Sequence, residues 1–302
     1  MDGRISNLSE VASVRRYTLT EGKASGIDVL DCDNGRIRFL VNLSFAADIM
    51  QLYHEGQNMS FVSKNGFSGS RGDFLSRFEG GMLYTCGLDC VGAREGSAIH
   101  GSLHTTPAEL IRASCDEGGI VIEAKVACTA LFGRDLTLLR KISTAISSDT
   151  VKIEDTLING AYRDEKYALL YHINIGYPML DEGAAVIADI AEKHPRNEWS
   201  RCLQDESCDI SAAIPNIDEN CYFLKLNEPN ISLLNNKLGK KFTVSYSGDT
   251  LPHFVEWKSM AAGDYALGFE PATTELDDRF EYKTIAAGEK IEFKIELKVE
   301  KI

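Results

Sequence analysis

The chain has 302 residues, 44% hydrophobic and 25% charged, proportions that let a globular protein bury a core without staples. Its 45 acidic and 32 basic side chains leave a formal charge of −13, which argues against nucleic acid or an anionic membrane as the main partner, since both need clustered Lys and Arg. No run of about 18 apolar residues occurs and the first residues carry no apolar signal segment, so a cytoplasmic protein without a membrane span is expected.

In chain order, the first candidate element is helical: NLSEVASVRRYTL, from residue 7, with Ser9 placed as N-cap. It belongs to an N-terminal arm, residues 1–22, ahead of a single domain over residues 23–302. Strand patterns then dominate. They run through RIRFLVNLS (36–44), NMSFVS (58–63), GIVIEAKVACTALF (119–132), LTLLRKISTAI (136–146), TVKIEDTLING (150–160) and YALLYHINIGY (167–177). They continue in CYFLKL (221–226), KKFTVSYS (240–247), FVEWKSM (254–260) and YALGFE (265–270). The last, KIEFKIELKVEK (290–301), alternates polar and apolar strictly, as a half-buried strand does. Short helical turns are expected at AADIMQLYHEG (46–56) and TPAELIR (106–112). No repeat or linker interrupts the pattern, and single glycines separate the runs. The sum is an all-β chain, hence a sandwich or a closed barrel.

The eight cysteines include no C-x-x-C pair, and Cys86 and Cys90 would stand about 13 Å apart on an extended strand, too far to bridge. Reduced, mostly buried thiols are expected. Arg71, Gly72 and Asp73 spell an adhesion-like tripeptide, for which an ordinary polar turn is the simpler reading.

Six histidines occur, three in unusual company. His100 and His104 lie in AIHGSLHTTPAEL, and His172 sits inside the apolar LLYHINIGYP. Glu270, in YALGFEPATT, ends an apolar strand directly before a proline. A carboxylate there must be specifically solvated or shifted in pKa, because burying an unpaired charge is costly. An imidazole that gives a proton and a carboxylate that takes one, at the ends of separate strands, are what a general acid–base pair needs. A hydrogen-bonded core histidine and a turn-capping glutamate are the plainer alternatives.

The strings GGMLYTCGLDCVG (80–92), IHGSLHTTPAE (99–109), LLYHINIGYPMLDEGA (169–184), LPHFVEWKSM (251–260) and YALGFEPATT (265–274), in this order over most of the chain, resemble the aldose 1-epimerase (galactose mutarotase) superfamily, and more closely an uncharacterised branch of it. The resemblance implies a galactose mutarotase-like β-supersandwich of antiparallel sheets with a sugar cleft. It implies cofactor-independent interconversion of sugar anomers by ring opening, with Glu270 removing the anomeric hydroxyl proton and His172 protonating the ring oxygen, the two facing each other across a pyranose-sized gap. His100 would match the substrate-binding histidine and Asp218 an aspartate that holds sugar hydroxyls. Arg77 would stand in for a sugar-contacting arginine. Near the implied cleft, Tyr171, Tyr177, Trp257 and Phe269 would stack on the sugar ring or pack in the core, and Lys258, after Trp257, would meet an anionic group on the sugar or lie solvated at the surface. Two other readings are a non-catalytic carbohydrate-binding protein and a metal-dependent sugar isomerase. The latter would use His100, His104 and Glu109, spaced H-x₃-H-x₄-E, with a fourth ligand such as His172.

Overall fold

The computed structural model describes residues 3–70 and 72–302, so Arg71 of the Arg-Gly-Asp string lies outside the described residues. Strands β1 (Ser13–Thr18), β2 (Asp28–Asp33), β3 (Ile37–Asn42), β4 (Asp48–His54) and β5 (Gln57–Asn58) form a five-stranded antiparallel meander in chain order. Next come β6 (Tyr84–Leu88), β7 (Glu109–Asp116), β8 (Gly119–Thr129), β9 (Asp135–Thr144), β10 (Thr150–Asn159), β11 (Glu165–Ile175) and β12 (Ala185–Ile187). The chain continues through β13 (Ile190–Pro195), β14 (Asn220–Leu226), β15 (Asn230–Asn235) and β16 (Lys240–Tyr246). It ends with β17 (His253–Ala261), β18 (Asp264–Ala272), β19 (Lys283–Ile285) and β20 (Lys290–Lys301). An eight-stranded sheet has the order β12-β15-β16-β20-β10-β9-β8-β7. A seven-stranded sheet runs β13-β14-β17-β18-β11-β19, with β6 also paired to β11. The fold is the expected all-β antiparallel supersandwich.

The strict alternation in β20 buries Phe293, Ile295, Leu297 and Val299 against the seven-stranded sheet, where Phe293 meets the rings of Tyr167 and Tyr171. In β11 every residue from Tyr167 to Ile175 is buried, because both faces of the seven-stranded sheet are covered. Odd positions of β11 join the main core, whereas Ala168 and Leu170 join a second, smaller core on the other face.

The main core also holds charge. Arg140 of β9 lies opposite Asp155 of β10 and donates to it at 2.7 Å, and to Asp48 at 2.5 Å. Tyr171 donates its hydroxyl to Asp155 (2.8 Å), and His104 bonds Asp48 (2.7 Å). Burial disfavours charge on His104, but Glu79 and Asp48 outweigh it and raise its pKa above the usual value.

Three expected helices are not formed. In the first, only Leu8–Glu10 makes a helical turn, and its cap is Asn7 rather than Ser9. Residues 13–18 of the expected arm are β1, an edge strand paired with β2 and stamped with Arg15 and Arg16. Residues 48–54 are β4 and residues 109–116 are β7, each paired in register with a neighbour. Ladder pairing overrides a weak local helical preference. All eight cysteines are free thiols. Among the described residues no helix is long and apolar enough to cross a membrane.

Candidate active site

The site lies on the face of the seven-stranded sheet that carries the smaller core. In β17, Val255, Trp257, Ser259 and Ala261 point to this face, while Phe254 and Met260 pack into the main core. In β18, Glu270 and Asp264 share the cleft face, and Leu267 and Phe269 are turned away. The β11–β18 register pairs Leu170 with Ala272 and Ile173 with Phe269, which sets His172 directly opposite Glu270. On the next row Gly268 lies between Asn174 and Trp257.

His172 Nε2 and Glu270 Oε1 are 3.1 Å apart. The two groups therefore do not face each other across a sugar-sized gap, as the sequence suggested. They stand side by side, because neighbouring strands place directly opposed side chains about 4.5–5.5 Å apart at Cβ. Both form the floor of an open cleft of about 830 Å³, exposed by only 5% and 2% respectively. Burial drives the Glu270 pKa well above the usual carboxyl range, reinforced by Glu219 and opposed by Arg196. Burial also holds His172 well below the usual imidazole value, reinforced by His100. Each group is thus disfavoured as a lone charge.

Gly268 makes room for the pair. A Cβ at this position would lie 2.6 Å from Glu270 Oε1, 3.1 Å from His172 Cε1 and 3.2 Å from Trp257 Cε3. His100 reaches the cleft from a loop in which its own φ is +62°, a costly conformation for a residue with a side chain. Gly92 N–H donates to His100 Nδ1 at 3.3 Å, so the proton resides on Nε2. Asp89 braces the same loop by accepting from the backbone and hydroxyl of Ser102, both at 2.8 Å. Burial lowers the His100 pKa to about 4, which makes it a neutral hydrogen-bonding group rather than a cation. Its ring meets His172 edge-on at 5.8 Å.

The structure brings Glu270, His172, His100, Trp257 and Asp218 to one cleft. Asp218 is exposed at the rim, where its carbonyl accepts from Trp199 Nε1. Arg77 is not a cleft residue. Its guanidinium is spent behind the wall on the Tyr84 hydroxyl (2.8 Å) and the Gly72 carbonyl (3.0 Å). Lys258 is not one either, because alternation points it away from Trp257's face. Its ammonium donates to the carbonyls of Ser207 and Asp209 at 2.9 and 3.0 Å. Tyr171 and Phe269 are core residues, and Tyr177 is exposed outside the cleft. His100, His104 and Glu109 do not converge: His104 is buried between Asp48 and Glu79, and Glu109 pairs with Lys125 on β7. Among the described residues no three His, Cys, Asp or Glu side chains are arranged to hold a metal.

Among the cleft residues that escaped the sequence reading are Glu219 and Arg196. Glu219 accepts from Trp257 Nε1 at 2.7 Å and pairs with Arg196 at 2.7 Å, fixing the indole in the wall. Glu219 could have been suspected as the acidic neighbour of Asp218 before an apolar strand. Arg196, in a turn after Pro195, carries no such signal.

The model of a domain of unknown function, DUF4432, matches residues 24–299. The chain belongs to the DUF4432 family. Among curated proteins none matches the sequence. This DUF4432 chain shares its fold with a provisionally assigned aldose 1-epimerase from Klebsiella pneumoniae. The TM-score is 0.86 at 20% identity, over 95% of this chain and 83% of the other. A galactose mutarotase-like protein from Clostridium acetobutylicum superposes with a TM-score of 0.73 at 14% identity, over 97% and 100% of the two chains. A protein from Salmonella typhimurium provisionally assigned as a mutarotase gives 0.69 at 14%, over 99% and 96%. At these identities the likeness establishes the fold, and the chemistry must be argued from the DUF4432 residues themselves.

Proposed function

We propose that the protein interconverts the anomers of a reducing sugar by proton transfer at the Glu270–His172 pair. The observation that carries this reading is the 3.1 Å approach of a carboxyl and an imidazole on the floor of an open cleft. Mutarotation takes a proton from the anomeric hydroxyl and gives one to the ring oxygen. Those two oxygens are bonded to the same carbon, so two groups already in contact can reach both at once. Glu270 takes the hydroxyl proton while His172 delivers one to the ring oxygen; the ring opens, rotates about C1–C2 and closes on the other face. Closure reverses the proton movements, so the pair ends the cycle carrying the proton with which it began.

The burial of the pair supports the same scheme. Because lone charge is disfavoured on both groups, the pair rests with a single proton, on Glu270. Passing that proton across the short contact yields carboxylate and imidazolium together, each stabilised by the other. His100, donating from Nε2, and Trp257, held by Glu219, would orient the sugar. Each positioned proton transfer contributes about 10²–10⁴-fold.

Saturation exchange at the anomeric proton, by NMR over a panel of neutral and acidic sugars, tests the proposal. Glu270→Gln keeps the shape of the floor but cannot accept the proton. It should retain sugar binding and lose at least about 10²-fold in rate. Unchanged exchange in Glu270→Gln would rule the pair out, and sugar binding without any exchange in the wild type would make this a binding protein.

A further inference from the structure

The cleft is longer than the reaction requires. Along β17 the cleft face runs from Val255, opposite Glu270, through Trp257 and Ser259 to Ala261, opposite Asp264. The six residue steps from Val255 to Ala261 span about 20 Å. The acid–base pair sits at one end of this run, and a single pyranose on it would cover the row of Glu270 and reach Trp257. The volume of about 830 Å³ lies in the upper part of the range of about 300–1,000 Å³ that encloses drug-sized ligands.

The far end is polar. Lys64, from the segment after β5, and Asp264, the first residue of β18, come from opposite walls and meet at 2.7 Å. Their side chains remain 67% and 44% exposed, so the pair stays within reach of a ligand. Ser259 lies on the floor between this pair and Trp257. A paired ammonium and carboxylate offer donors and an acceptor together, which matches the vicinal hydroxyls of a sugar. These groups stand too far from the reacting carbon to take part in proton transfer, so they can act only by binding.

We propose that this far end is a second sugar subsite, lined by Lys64, Asp264 and Ser259 beyond Trp257, and that the substrate is the reducing end of a disaccharide or longer glycan. The proposal rests on the anomer-exchange reading of Glu270 and His172. Binding energy from the second sugar then holds the reducing unit over the pair, as remote contacts do in other enzymes.

Anomeric exchange is measured for glucose, galactose and mannose, and for α- and β-linked disaccharides that carry each at the reducing end. For at least one disaccharide kcat/KM should exceed that of its own reducing-end monosaccharide by about tenfold or more. In the double variant Lys64→Ala/Asp264→Ala that ratio should fall towards one. Ala261→Trp, which fills the far end, should lower it as well. Monosaccharides exchanged as fast as all their disaccharides would overturn the subsite while leaving the acid–base assignment standing, and so would a ratio that neither variant changes. Exchange of no sugar at all would instead overturn the acid–base reading, and the subsite with it.

Discussion

Replacing Gly268 with alanine tests the proposed acid–base roles of Glu270 and His172 without substituting either residue. The added methyl would sit 2.6 Å from Glu270 Oε1, where ordinary contact begins at 3.4 Å, so the carboxylate must retreat by about 0.8 Å. Its nearest neighbours are all side-chain atoms, of Glu270, His172 and Trp257, so the backbone of β18 need not move. Under the proposed function the cost therefore falls on catalysis rather than on folding. A misplacement near 1 Å costs about 10²-fold, which corresponds to about 2.7 kcal/mol of activation free energy. The expected outcome is a fall in kcat of one to two orders of magnitude, read by anomeric saturation transfer on the best wild-type sugar, with a melting temperature by circular dichroism close to wild type. A folded Gly268→Ala protein with wild-type kcat would show that the position of the Glu270 carboxylate is not what limits the reaction.

Two further predictions concern the back face of the sheet and the core. Glu256 is fully buried, and burial lifts its pKa to about 7, against the pull of Lys258 and Lys193. A carboxyl whose folded pKa is raised contributes most below its unfolded value of 4.5, and that contribution is lost as pH rises through 7. Relative to Glu256→Gln, the wild type should lose about 3 kcal/mol of unfolding free energy over that window. Urea midpoints at several pH values measure this, and a difference that stays constant with pH would contradict it. Arg140→Ala strands Asp155 and Asp48 in the core, and the loss should be about 3–5 kcal/mol by urea denaturation. A change under about 1 kcal/mol would mean that those carboxylates are neutral or otherwise satisfied.

Much of the architecture is legible in the chain itself. The alternation in β20 and the apolar runs of β11, β17 and β18 are local properties, and the strands lie where those patterns predict. Expectations failed where the pattern was short. The segments around residues 9, 50 and 109 carry only a turn or so of helical spacing, and pairing with distant strands outweighed it. The odd chemistry of His172 inside an apolar strand and of Glu270 before Pro271 was likewise visible, since a titratable group in an apolar run is conspicuous wherever it ends up. Period-two alternation even separates Trp257 from Lys258, because adjacent residues of one strand cannot share a face.

The sequence by itself determined the β architecture and marked the titratable residues embedded in it, because alternation and composition are written residue by residue. Only the tertiary structure decided which of them meet. The register of β11 on β18 brings His172 against Glu270, an open cleft forms over one face of that sheet and a packed core over the other, and Glu219 locks Trp257 to Arg196. Those relations join segments far apart in the chain, and they arise from the burial of both faces of one sheet, which no local pattern encodes.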